Sequence, residues 1–263
     1  MSAVPDQGAD VVSPDGDEAF DCLSSISLDA LNSSAELLTR VDRKYIVSHD
    51  LLDSLIREWR DDLSVLQIDE RRVFQYMSTY FDTADLALHR AAATHRRRRF
   101  KVRTRAYDDT GLTMLEVKTK DGRGRTVKHR VEHDRRRADE LTAGGARFVE
   151  QVTGAGHVVD LLRPSLTTRY RRATLVDLAA SSRCTVDREL VCAAPDGRTV
   201  ELDAVIVETK SGPTPSGVDR WMWQQGIRPT KVSKYSTALA VLYPDLPDNS
   251  WHRTIARHFR PGD

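Results

Sequence analysis

RFKVRTRAYDDTGLTMLEVKTKDGRGRTVKHRVEH, residues 99–133, holds three alternating runs separated by two turns. Residues two apart on a strand share a face. Arg103 and Arg105 therefore point one way, as do Glu116, Lys118 and Lys120, and as do Lys128 and Arg130, while Val102, Thr104, Leu115, Val117 and Val127 point the other. Asp108-Asp109-Thr110-Gly111 and Asp121-Gly122-Arg123-Gly124 read as hairpin connections, so the strands 99–107, 112–120 and 125–133 are antiparallel. A surface sheet with its charges in water alternates in the same way. Three features ask for more. The charged face is almost wholly cationic and repels itself, Glu-x-Lys occurs twice, at Glu116–Lys118 and Glu208–Lys210, and Lys231 and Lys234 flank Ser233. Curled into a closed barrel, such strands enclose a cationic passage. That passage suits a chain of phosphates, which arginine grips bidentately and lysine attracts as a point charge. Carboxylates set among those cations would draw a divalent metal that bridges substrate oxygens.

Outward from this core, 40–47 and 73–82 read as strands, as do 166–176, 182–190 and 199–211. Ser48 can cap an amphipathic helix over 49–60, and further helices are expected over 137–153, from Ser216, and from Ser236 to about Leu242. Trp221 and Trp223 read as helix-packing residues. His129 and His133 lie about 13 Å apart on a strand, too far to share a metal.

Hydrophobic residues are 40% and charged residues 30% of the 263, with mean hydropathy −0.48, a soluble globular composition. No apolar run approaches the roughly 20 residues of a spanning helix, and the first residues lack a signal sequence, so a cytoplasmic protein without membrane insertion is expected. Cys22, Cys184 and Cys192 have neither the number nor the spacing of a disulfide framework or a zinc site. The net charge of +1 is unevenly spread: six acids and no base precede residue 22, while residues 90–130 carry fourteen Lys/Arg against four acids. Residues 1–23 read as a disordered acidic tail, 24–245 as one domain, and 246–263 as a weakly determined C-terminal tail.

Seven motifs in register resemble the VTC domain, named for the vacuolar transporter chaperone complex, within the triphosphate tunnel metalloenzyme superfamily. They are RVDRKY (40–45), STYFDT (78–83), KVRTRAY (101–107), LEVKTK (115–120), VKHR (127–130), VETK (207–210) and KVSKY (231–235). The resemblance implies an α+β fold, a closed eight-stranded antiparallel barrel with helices packed outside. It implies phosphate binding by Lys44, Arg90, Arg103, Arg105, Lys118, Lys128, Arg172, Arg183, Lys231, Ser233 and Lys234, with Lys44, Arg103, Arg105, Lys118 and Lys234 serving catalysis. Glu208 would hold a divalent metal, Mn²⁺ or Mg²⁺, with Glu116 a second candidate. Hydrolytic and cyclase members carry Glu-x-Glu-x-Lys where this chain has Arg40-Val41-Asp42-Arg43-Lys44. Loss of that first carboxylate points to the branch that transfers the terminal phosphoryl group of ATP to inorganic polyphosphate.

Three other readings stay open: a metal-dependent triphosphatase of small triphosphates, a tunnel that binds polyphosphate without turnover, and a nucleic-acid-binding module on the basic stripe. The last is disfavoured by an aromatic content of 6%, which leaves few stacking platforms among the arginines. Oligomeric state is not legible.

Overall fold

The computed structural model describes residues 17–33, 41–121 and 126–259. Its strands are β1 (Ser24–Ile26), β2 (Val41–Val47), β3 (Ser64–Leu66), β4 (Val73–Asp82), β5 (Arg99–Tyr107), β6 (Leu112–Lys120), β7 (Thr126–Glu132), β8 (Arg163–Asp177), β9 (Ser182–Ala193), β10 (Thr199–Leu202) and β11 (Val205–Ser211). The helices are α1 (Leu28–Ser33), α2 (His49–Glu58), α3 (Ala87–Ala93), α4 (Ala143–Thr153), α5 (Gly156–Val159), α6 (Gly217–Gln224), α7 (Lys234–Leu242) and α8 (His252–His258).

Eight strands pair in the order β2-β11-β9-β8-β4-β5-β6-β7, every step antiparallel. The sheet curls strongly. Lys118 on β6 feels the charges of Glu208 on β11 and Asp42 on β2, although five and six strand steps separate them along the ladder. The expected closure is not reached: among the described residues β2 and β7 do not pair, and the sheet is a half-barrel with a seam between them. β7 is exposed along its whole length and carries Lys128 and Arg130, while β2 carries Lys44, so like charges line both edges of the seam.

Alternation decides which residues face in. On the convex side Tyr45, Val47, Ala173, Leu175, Val186, Val205 and Val207 form a core with Leu52, Leu55 and Ile56 of α2 and Val218, Trp221 and Met222 of α6. Val102, Leu115 and Val117 pack instead on Val149 and Val159 of α4 and α5. Helix α2 starts where Ser48 accepts a hydrogen bond from the Leu51 amide, and Ser216 with Asp219 forms a capping box at the start of α6.

The concave side is apolar at both ends. Tyr235, Ala238, Leu239 and Leu242 of α7 pack against Ile46, Tyr80, Leu166, Leu190, Cys192, Val200, Leu202 and Ile206, so this helix lies inside the half-barrel while α2, α4, α5 and α6 lie outside it. At the other end Leu31 of α1 joins Ile26, Leu66, Phe74 and Val176. A bulge sets the change of character on β9: the pairing with β8 jumps between Arg169/Val191 and Arg171/Arg188, and Glu189 takes the extra residue with φ 53°. Asp187 before it and Leu190 and Cys192 after it therefore all face inward.

Four sequence expectations change. The strand 199–211 breaks at Asp203-Ala204 into β10 and β11. The helix expected over 137–153 starts only at Ala143, after a 3-10 turn at Arg135–Arg137. Residues 17–23, placed in the acidic tail, include a 3-10 turn that buries Phe20 completely. Residues 246–259 hold α8, with Trp251 buried against Ala92 and Ala93. Arg40 and residues 1–16 lie outside the described residues. All three cysteines are free, and no helix among the described residues is long and apolar enough to cross a membrane.

Candidate phosphate-binding site

Between the two apolar ends the concave face carries three carboxylates that are each held by two cations, beside Asp42 on β2, which lies across from Lys210, and Asp82 on β4, which accepts from Tyr235 of α7. Glu116 on β6 is 2% exposed; its Oε2 accepts from Arg103 Nε at 2.8 Å and Nη2 at 2.5 Å, and its Oε1 from Lys128 Nζ at 2.9 Å. Asp187 on β9 pairs with Arg172, whose Nε and Nη2 donate at 2.5 and 2.7 Å, and with Lys234. Glu208 on β11 pairs with Lys44 and, at 3.0 Å, with Lys210. Burial alone would raise all three carboxyls. The paired cations instead hold them well below the usual carboxylate range.

Further cations on this face, among them Arg105, Lys101 and Lys118, have no carboxylate of their own in the three clusters. Arg105 is buried, donates from Nη2 to the Tyr170 hydroxyl at 2.8 Å and from Nε to Ser78 Oγ at 3.3 Å, and lies over the Tyr76 ring. Lys101 Nζ donates to Ser233 Oγ at 2.8 Å and to Ser236 Oγ at 3.0 Å, tying β5 to the N-terminus of α7. Lys118 is exposed to the open part of the lumen.

Crowding cations into a partly desolvated space lowers their proton affinity. Burial brings Lys44 down to about 8 against the upward pull of Glu208, and burial with Lys118, Arg103 and Arg99 brings Lys101 down to about 7. Lys118 and Lys128 reach solvent yet are also lowered, chiefly by partial desolvation on the crowded face. Tyr170 moves the other way from a buried phenol: Arg105, Arg172 and Lys234 overcome its burial and lower it.

Lys44, Arg103, Arg105, Lys118, Lys128, Arg172 and Lys234 are thus brought onto one face. Ser233 caps α7, accepting from the Ser236 amide at 3.2 Å. Lys231 is exposed just before α7. Arg183 faces inward beside the α1 end and donates to the Leu31 carbonyl at 3.2 Å. Arg90 stands apart, exposed on α3 with its Nε donating to the Asp85 carbonyl at 2.9 Å. The sequence reading gave no site role to Lys101, Lys210 or Asp187, although Lys101 and Lys210 stand in the quoted motifs, two before Arg103 and two after Glu208.

Among the described residues no three His, Cys, Asp or Glu side chains gather as a metal cage. Glu208 does have a neighbour suited to a ligand. Thr185, directly across the ladder, is 5% exposed, and its Oγ1 has no hydrogen-bond partner. One carboxylate and one unpaired hydroxyl fit a hard divalent ion that brings most of its coordination from phosphate oxygens.

A model of the VTC domain matches residues 39–243. The chain belongs to the VTC domain family. Solved structures similar to it include a putative adenylyl cyclase from Hippeastrum described as revealing a dominant triphosphatase activity, with 17% identity over 76% of this chain and 94% of that one and a TM-score of 0.49. Others are a putative adenylate cyclase from Vibrio parahaemolyticus (13% identity, 72% and 83% coverage, TM-score 0.38) and a Pyrococcus horikoshii protein (11%, 82% and 99%, TM-score 0.42). No curated protein matches the chain in sequence.

Proposed function

We propose that this VTC-family chain is a polyphosphate polymerase, transferring the terminal phosphoryl group of ATP or another nucleoside triphosphate to a polyphosphate chain held on the concave face. The observation that carries the reading is the imbalance there. Lys44, Lys101, Arg103, Arg105, Lys118, Lys128, Arg172, Lys210 and Lys234 outnumber Asp42, Asp82, Glu116, Asp187 and Glu208, and the last three are each already shared by two cations. Such a face is incomplete without a polyanion.

The chemistry asks little else of the protein. A terminal oxygen of the chain attacks the γ-phosphorus, a P–O bond forms, the bond to the leaving diphosphate breaks, and no net proton moves. Positioning and charge stabilisation supply the rate. Arg103 and Arg105, steadied by Tyr80 and Tyr170, offer rigid forks to equatorial oxygens. Lys44, Lys118 and Lys234 add point charge, and Ser233 meets the same space through its hydrogen bond from Lys101. Glu208 and Thr185 would hold a divalent metal, Mn²⁺ or Mg²⁺, which when bound neutralises phosphate charge. The second metal candidate, Glu116, is gripped twice by the Arg103 guanidinium as well as by Lys128, whereas Glu208 meets two flexible lysines, so Glu116 reads as the residue that orients its partners.

One observation favours hydrolysis of small triphosphates instead: Ile26, Leu31, Leu66, Phe74 and Val176 stop one end of the lumen, and α7 fills the other. The seam between β2 and β7 offers a long chain another way out. Incubation with ATP and Mn²⁺ followed by a polyphosphate gel separates the two. Lengthened chains are expected, and release of orthophosphate alone would replace the polymerase with a triphosphatase.

A further inference from the structure

The cationic ladder does not stop where the carboxylates do. Lys101 faces Lys118 across β5 and β6, Lys118 faces Lys128 across β6 and β7, and the outermost rung pairs Arg99 with Lys120. Like charges directly opposite on a sheet destabilise it. Just beyond Arg99 come Arg96, Arg97 and Arg98, all exposed.

This turn is built rather than slack. The His95 amide donates to the Ala92 carbonyl at 3.4 Å, the Arg96 amide to Ala91 at 2.9 Å, and Arg99 Nη1 to the Arg96 carbonyl at 2.6 Å. His95, with φ 57°, places its Nε2 2.7 Å from Ser250 Oγ, and Trp251 packs on Ala92 and Ala93 beneath the turn. The C-terminal segment thus braces α3, and α3 braces the arginines. Soluble surfaces ordinarily intersperse the two signs of charge, whereas this one sets four arginines in succession where the inner ladder ends, on a turn whose backbone is held by hydrogen bonds.

We infer that Arg96, Arg97 and Arg98, continued inward by Arg99 and Lys120, form an outer track for the phosphates of a polyphosphate chain too long for the lumen. The inference rests on the concave face holding phosphates and adds a chain-length preference to it. α7 packs on β2, β4, β8, β9, β10 and β11 and reaches β5 at Lys101, so β6 and Arg99, where the track leaves, lie beyond the groups it covers.

The test is calorimetric titration, at fixed ionic strength, of the wild-type chain and R96Q/R97Q/R98Q with tripolyphosphate and with long-chain polyphosphate. The Arg99 hydrogen bond goes to a backbone carbonyl, so the substitutions leave it in place, and a melting curve checks the fold. Tripolyphosphate affinity should stay within about twofold, while long-chain affinity falls about tenfold or more, the size of one lost charge-assisted contact. R96K/R97K/R98K should restore long-chain binding. Equal weakening for both ligands, no weakening for either, or failure of lysine to restore binding would overturn the track. So would a loss confined to phosphatidylserine vesicles or single-stranded DNA with polyphosphate unaffected. A wild-type chain that binds neither phosphate ligand would instead remove the lumen reading itself.

Discussion

Glu208 and Thr209 are neighbours on β11 and serve carboxylates of opposite kinds. Thr209 points to the convex side, where Asp219 is fully buried: its Oδ1 accepts from Tyr45 at 2.7 Å and Thr209 at 2.5 Å, and its Oδ2 from the Ser216 amide at 2.8 Å, Ser216 Oγ at 2.9 Å and Arg43 at 3.4 Å. Five donors, four of them neutral, hold that group in place. Glu208 faces the lumen and is held by two ammonium groups, Lys44 and Lys210. Neutral donors from three elements make a permanent joint, whereas flexible lysines can turn from a carboxylate to an arriving phosphate. The convex carboxylate is architecture, and the concave one keeps its cations ready.

The largest expected effect lies on the convex side. Asp219→Ala strands Arg43 and four neutral donors, and should cost about 3–5 kcal/mol and lower the melting temperature by roughly 10 °C. A loss under about 1 kcal/mol, within the range of ordinary substitutions, would erase the distinction between the faces. Next comes Glu208→Gln, which should lower metal-dependent turnover by about 100-fold while polyphosphate binds as tightly or tighter, because a negative group has left a polyanion site. A lowered melting temperature with unchanged metal dependence would make Glu208 a structural ion pair instead.

The lysines sharpen the comparison through pH. Lys44 and Lys101 are lowered in the folded protein to about 8 and about 7. Above these values the unfolded chain holds more protons, so their contribution to stability rises as pH climbs from about 7 towards the ordinary lysine value. Phosphate binding favours the charged forms and must weaken over the same window. Stability and affinity should therefore move in opposite directions between pH 7 and pH 9. Binding at pH 8 should take up about one proton, read from titrations in buffers of different ionisation enthalpy, and zero uptake would contradict the assignment. The smallest effect is Ser233→Ala, which removes the α7 cap and one Lys101 partner and should cost about 1 kcal/mol. Lys101 retains Ser236, so phosphate affinity should change less than in the Glu208 variant.

Strand parity made Arg103, Arg105, Glu116, Lys118 and Lys128 legible from sequence, because β5, β6 and β7 pair without a break in register. Lys44 and Glu208, assigned through the family motifs, do pair across β2 and β11. What the sequence hid were non-local events. Nothing in KYSTALAVL announces that α7 packs inside the half-barrel, since its apolar residues would suit a convex core equally well. Phe20 looked stranded in an acidic tail until the α2–α6 core supplied its partners. Arg90 shares the basic stretch with the lumen residues but sits on α3, a seven-residue helix whose first amides are taken by Thr83 and Asp82 further back in the chain, with Leu86 at the usual capping position. Closure of the barrel was expected from resemblance, and no sequence feature of β2 or β7 spoke for or against it.

The bulge at Glu189 gives β9 two reading frames. Before it odd-numbered residues face inward, and after it even-numbered ones do. The strand behaves like a sentence with a comma: the clause ending in Asp187 addresses the phosphate ligands, and the clause from Leu190 addresses α7. Deleting Glu189 would run the clauses together, turning Asp187 or Leu190 to the wrong face, whereas Glu189→Gly would keep the frame and relieve a left-handed backbone that glycine adopts freely. Substitutions beneath α7 can accordingly accumulate without shifting the register of the chemistry a few residues upstream.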